Sequence, residues 1–141
     1  MPFDNRVVTL QLTGAEVKRV LAGQLQSASP RAGISGIRVR AACTSGALTL
    51  TLQRASGTPI RDDERLTIAT TDFVALGGND ILTAVTPPGG FPMADDTPIA
   101  RDLIADWFRK RGGRMRAAQF EDAATPRWTY PGTLPVSCRP A

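Results

Sequence analysis

The chain has no histidine and only two cysteines in 141 residues. Hydrolytic zinc and two-metal sites draw on imidazole, and Cys43 and Cys138 are too far apart in sequence to read as a ligand cluster. Nucleophile systems in which histidine takes a proton from serine or cysteine are closed to it as well. Carboxylates alone can do acid–base work, but no spacing among the 13 Asp and Glu residues singles out a pair. No catalytic residue and no metal ligand is therefore assigned, and the chain by itself is expected to catalyse nothing. Long apolar runs are missing too, which leaves no membrane-crossing helix. Pro2, Asp4 and Asn5 interrupt the start and no apolar stretch follows, so no signal peptide is read.

What remains has an ordinary soluble balance, 42% apolar and 21% charged, at a length suited to one domain. The net charge of +4 fits an anionic partner without identifying one. Much of the excess lies in Arg109, Lys110, Arg111, Arg114 and Arg116, just after a predicted helix. Cations there interact favourably with the helix C-terminal dipole. No aromatic residue interleaves the cluster, which favours a solvated helix end over a nucleic-acid surface. Cys43 falls in a predicted strand and Cys138 in a proline-rich tail. A bridge between them would staple the tail to the sheet and suit an exported protein, and two free thiols are the alternative.

Residues 6–12 alternate, with Val8, Leu10 and Leu12 on one face, as a half-buried strand does. Thr13-Gly14 then opens a helix whose apolar stripe is Val17, Val20, Leu21 and Leu25. A loop containing Pro30 and Gly33 leads to two further strands, one carrying Ile37, Val39 and Ala41, the other Leu48, Leu50 and Leu52. Thr44-Ser45-Gly46 joins them as a tight hairpin. Another strand, residues 65–72, runs into Phe73 and a Gly77-Gly78 turn. Residues 86–95 read as an irregular excursion. Thr97 is the expected N-cap of a second helix with Pro98 at its first position. Ile99, Leu103, Ile104, Trp107 and Phe108 are its expected buried stripe, and Gly112-Gly113 ends it. A short strand near Trp128 and Tyr130 closes the chain, and residues 114–141 are expected to be a loosely held tail. The fold class is α+β, a mixed sheet with an antiparallel hairpin and two main helices.

Three stretches, in order, resemble the 5'-nucleotidase C-terminal domain. Pro2-Phe3-Asp4-Asn5 and the strand and Thr13-Gly14 helix after it are similar to the family's Pro-Phe-Gly-Asn segment. Ile34-Ser35-Gly36-Ile37-Arg38-Val39 is similar to its Val-Ser-Gly-Leu-Arg strand. Thr70-Thr71-Asp72-Phe73-Val74-Ala75-Leu76-Gly77-Gly78-Asn79 is similar to Thr-Asn-Asp-Phe-Leu-Ala-x-Gly-Gly-Asp, the most specific of the three. The resemblance implies a single substrate-recognition domain over residues 1–141. It would lack the preceding Gly-Gly-x-Arg segment and the N-terminal metallophosphoesterase domain. That missing domain would hold the divalent metals, so none is expected here. A nucleotide or nucleoside is the implied ligand, and a periplasmic or extracellular hydrolase the implied parent.

Phe73 would stack the base, with Gly77, Gly78, Asn79 and Asp80 around the ligand. A flat ring offers a stacking surface, and glycines let the chain turn back beside it. The family's second stacking aromatic is absent, and Arg31 occupies that neighbourhood. Its guanidinium plane can stack on a base, or it is a solvated loop residue. Asn79 stands where the family has Asp; asparagine donates as well as accepts, and Asp80 is next to it. Lys18 and Arg19 lie where the family often places a cation near the phosphate, or are ordinary surface charge. A binding or interaction module that kept the fold and lost the nucleotide is the competing reading.

Overall fold

Strand periodicity and helix capping account for most of the elements. The computed structural model describes residues 4–28, 32–120 and 124–138. By contacts the chain divides into two units, Leu12–Leu66 with Ala124–Ala141, and Met1–Gln11 with Thr67–Ala123.

In the first of these units, Thr13 ends β1 (Val7–Thr13) and caps α1 (Gly14–Gln26). The Glu16 N–H donates to Thr13 Oγ1 at 3.2 Å while the Glu16 carboxylate accepts the Thr13 N–H at 2.7 Å, a reciprocal capping box. The next donors are satisfied by a loop: Gly14 N–H to the Glu64 carbonyl, 2.9 Å, and Ala15 N–H to that of Asp62, 3.0 Å. A β-carbon at Gly14 would lie 2.1 Å from the Arg61 carbonyl oxygen, so only glycine lets the helix start this close to that loop. Val17, Val20, Leu21 and Leu25 are buried, as their spacing predicts.

β2 (Ile37–Thr44) and β3 (Ala47–Arg54) pair antiparallel from Ile37↔Arg54 to Thr44↔Ala47. Ser45 and Gly46 both have positive φ, the geometry of the two-residue turn that matches strand twist. Val39, Ala41, Leu50 and Leu52 point into the core. β5 (Trp128–Thr129) lies parallel to β2 on its other side, so the sheet is mixed in the order β3-β2-β5. Proline-rich composition predicts a loosely held tail, yet beyond β5 it has two anchors. Val136 is buried and donates its N–H to the Leu25 carbonyl at 2.7 Å, and Cys138 is disulfide-bonded to Cys43.

The other unit is built on β1 and β4 (Arg65–Thr71), which form a two-stranded sheet. β1 buries Val8 and Leu10 here, and residues 98–100 join its edge. Val7 N–H donates to the Pro98 carbonyl and Ala100 N–H to that of Asn5, both at 2.8 Å, with a bridge between Arg6 and Ile99. This pairing corrects the expected helix start. α2 is the short turn Asp72–Ala75, and α3 runs Ala100–Lys110 with Ile99, not Thr97, as its N-cap. Pro98 is held by the strand edge before the helix begins, and the Thr97 hydroxyl is buried without a hydrogen-bond partner. The expected buried stripe of α3 is corrected too. Leu103 and Ile104 are 44% and 46% exposed, Trp107 and Phe108 are half-buried, and only Ala100 of the helix is buried. Gly112 and Gly113, both with φ of +70°, end α3 by donating to the Arg109 and Phe108 carbonyls.

Candidate functional site

The residues with the most specific sequence signal form one seat after β4. The expected strand of residues 65–72 stops at Thr71, and Asp72 begins α2 instead. Asp72 does the anchoring. Its N–H donates to the Arg6 carbonyl (2.9 Å), and its Oδ1 accepts the N–H groups of Arg6 (3.0 Å) and Phe73 (2.7 Å). Thr71 Oγ1 accepts the Val74 N–H at 3.4 Å and caps the turn. Backbone and side chain of Asp72 together tie the turn to the chain just before β1. Sequence reading included Asp72 in the motif but missed this role. The signal was there, since an acidic residue at the first position of a helical turn takes up free N–H groups.

That anchoring fixes where Phe73 can go. Phe73 is 48% exposed, so part of its surface faces solvent. Another part rests on Gly78: a β-carbon there would fall 2.3–2.5 Å from the ring atoms Cε1, Cδ1 and Cζ. Gly77 and Gly78 are thus needed for different reasons. Gly77 has φ of +102°, a conformation that side chains oppose, whereas Gly78 leaves room for the ring. Asn79 and Asp80 follow with φ of 57° and 54°. Residues other than glycine seldom adopt such values; Asn and Asp tolerate them best, and such strain gathers at ligand sites. Asp80 N–H donates to the Gly77 carbonyl (3.0 Å), and its carboxylate accepts the Thr83 hydroxyl (3.4 Å).

Phe73, Gly77, Gly78, Asn79 and Asp80 are therefore brought together. The other expected site residues belong to the other unit. Lys18 Nζ is 2.5 Å from Asp62 Oδ1 and only about a quarter exposed, so its charge is matched within the chain. With the first donors of α1 also taken, that helix start offers an anion no free N–H among Gly14, Ala15 and Glu16. Arg19 is exposed on α1, and Arg31 lies outside the described residues. In the basic cluster, Arg109 pairs with Asp106, and the Arg111 guanidinium lies 4.4 Å from the centre of the Trp107 ring.

A cleft of about 410 Å³ opens along the same turn, lined by Leu76, Gly77, Thr83, Thr86, Phe91 and Met93 among others. Phe91 and Met93 come from the 86–95 excursion, to which sequence reading gave no function. Among the described residues, no three potential metal-ligating side chains gather in a cluster. No helix among them is long and apolar enough to cross a membrane.

The fold and the seat define an α+β domain that presents a half-exposed aromatic residue beside a strained polar turn. The family model of the 5'-nucleotidase, C-terminal domain, matches residues 1–86, more than half of the chain, and the chain belongs to that family. The match includes the whole seat. NAD nucleotidase (NadN) of Haemophilus influenzae is similar in structure, with a TM-score of 0.57 over 82% of this chain at 22% identity. At that identity the likeness is one of fold, and the chain covers 24% of that protein. No curated protein matches the chain.

Proposed function

We propose that this domain recognises the base and ribose of a nucleotide and presents the phosphate to a two-metal centre in a separate N-terminal metallophosphoesterase domain. The parent would be a metal-dependent 5'-nucleotidase-type hydrolase of the periplasm or cell exterior, a setting that the Cys43–Cys138 disulfide suits. The observation that carries the reading is the half-exposed Phe73 ring resting on Gly78, with Asn79 and Asp80 beside it in strained backbone. A base laid on that ring gains ~1–3 kcal/mol. The Asn79 amide can donate to and accept from a sugar or base edge, and the Asp80 carboxylate can accept from ribose hydroxyls. The divalent ions would belong to the other domain, and this chain's part is to bind and orient.

Two observations favour a second reading, a binding module that no longer holds a nucleotide. Asn79 stands where the family has Asp, and Lys18 is committed to Asp62. Calorimetric titration with adenosine at low and high salt separates the two. Recognition by stacking predicts binding that barely changes with salt and weakens about tenfold in Phe73→Ala. Binding of AMP that falls steeply with salt, with no binding of adenosine, would point to phosphate contacts instead. No binding by the unaltered chain, or equal binding by Phe73→Ala, would reject the first reading.

A further inference from the structure

Apolar surface is left uncovered on α3 and just beyond it. Apart from Phe73 and Leu76 near the seat, the large apolar residues exposed among the described ones are Leu103, Ile104, Met115 and Phe120. Each is 40–54% exposed. Leu103, Ile104, Trp107 and Phe108 are neighbours at helical spacing on α3. The Trp107 ring packs edge-on to Phe108, 5.2 Å between centres, and lies 5.9 Å from that of Phe120. Single exposed apolar side chains are ordinary, but a contiguous group marks a surface that meets something else. Positive charge is concentrated in the same stretch. From Trp107 to Phe120 the chain carries Arg109, Lys110, Arg111, Arg114 and Arg116 and no acidic residue. The acids of α3 are already matched, Asp102 by Arg101 and Asp106 by Arg109. Lys110, Arg114 and Arg116 are exposed and pair with no carboxylate among the described residues. Arg111 lies over the Trp107 ring, which sets a cation on the apolar group itself.

We infer that this patch is a lipid-facing surface, on which α3 lies in the plane of an anionic bilayer. An apolar helix face accompanied by arginine and lysine is the composition of helices that rest at that boundary. Lying flat, the 11 residues of α3 present about 16 Å of helix. The aliphatic side chains of Leu103 and Ile104 enter between headgroups and acyl chains. The Trp107 indole has an apolar body and a polar N–H, a combination that favours the same depth. Lys110, Arg111, Arg114 and Arg116 meet the anionic headgroups, with their stems along apolar surface and their charges outward. Nucleic acid fits less well, since phosphates would satisfy the cations but leave Leu103, Ile104 and Met115 facing water. No described helix spans a bilayer, so this attachment is peripheral and reversible.

Co-sedimentation with vesicles tests this directly. The chain should pellet with phosphatidylcholine vesicles containing phosphatidylglycerol and stay in solution with phosphatidylcholine alone. Lys110→Gln/Arg114→Gln should weaken partition roughly thirtyfold, from about fivefold for each cation near an anionic surface. Leu103→Gln/Ile104→Gln should weaken it at least about tenfold through lost apolar burial. Both of those residues are nearly half exposed, so the melting temperature of this variant should change little. Insertion is read separately. The chain has 2 tryptophans, and in Trp128→Phe the remaining one is Trp107. Lipids brominated along the acyl chain should quench its fluorescence, a readout that needs no change in the patch. Failure to bind anionic vesicles overturns the proposal, and so does equal pelleting of Leu103→Gln/Ile104→Gln. Binding without quenching shows adsorption by charge alone and overturns it as well. A single-stranded oligonucleotide bound where vesicles are not assigns the patch to nucleic acid. A dimer that Leu103→Gln/Ile104→Gln dissociates, without vesicle binding, assigns it to a second copy of the chain. Either result overturns the lipid surface, and none of these outcomes bears on the Phe73 seat.

Discussion

Alanine at position 78 tests the seat more sharply than removal of the ring. Its β-carbon would sit 2.3 Å from Phe73 Cε1, against ~3.5 Å for a comfortable carbon–carbon contact. The ring must then withdraw by about 1.2 Å or swing into solvent. Backbone strain does not intervene, because Gly78 is outside the positive-φ set. Full burial of a phenylalanine stabilises by about 1.5–3 kcal/mol, and Phe73 is already 48% exposed. Losing its remaining contact costs about 1 kcal/mol. Replacing glycine at a compatible position returns about 0.4–1 kcal/mol through the unfolded chain. Stability should thus change by less than about 1 kcal/mol, a few degrees in a thermal melt at most. Adenosine affinity should fall about tenfold, because the platform has moved. Gly77→Ala should do the reverse: φ of +102° imposes strain of about 1–3 kcal/mol while the ring stays seated. Melting curves and calorimetry on the two variants decide the matter. Unchanged adenosine binding in Gly78→Ala would refute the argument that Gly78 exists to seat Phe73.

Other outcomes follow from the capping, core and composition. The Glu16 carboxyl is held below its ordinary 4.5 by the Thr13 N–H, then the Thr13 hydroxyl, with Arg19 and Arg65 adding weaker attraction. Its folded value is depressed, so its contribution is full above about 4.5 and is lost as pH falls through the lower folded value; the melting-temperature gap between the unaltered chain and Glu16→Gln should close over that range. Thr97→Val removes a buried hydroxyl that lacks a partner and should raise the melting temperature by a few degrees, from about 1 kcal/mol. Val136→Ala should destabilise by about 1–2 kcal/mol even with the disulfide reduced, because the side chain is 5% exposed; an unchanged melt would return the tail to a peripheral role. Pure chain should release no phosphate from nucleotides supplied with manganese, zinc or cobalt, and turnover would overturn the assignment of chemistry to another domain.

Local chemistry made much of this fold legible. Thr13 and Glu16 announce the start of α1, Ser45-Gly46 the hairpin, and the stripe from Val17 to Leu25 the buried helix face. Each is decided within a few residues. The Phe73 to Asp80 turn was readable because its glycines and its ring occur in one short stretch. Long-range decisions were not. Periodicity in α3 records apolar residues at helical spacing, but not whether anything covers them; Leu103 and Ile104 are largely uncovered here. Thr97-Pro98 has the chemistry of a helix start, and pairing with β1 some ninety residues earlier pre-empted it. Phe91 is separated from Leu76 by an irregular stretch, so nothing in its spacing tied it to the cleft.

The Cys43–Cys138 bond joins residues 95 apart in sequence, and with them most of the chain becomes one covalent ring. The Phe73 seat and the excursion carrying Phe91 both lie inside that ring. A protease that cuts within residues 86–93 opens the ring without releasing either piece. Such a nicked molecule runs as a single species on a non-reducing gel, and parts into two fragments when thiol is added.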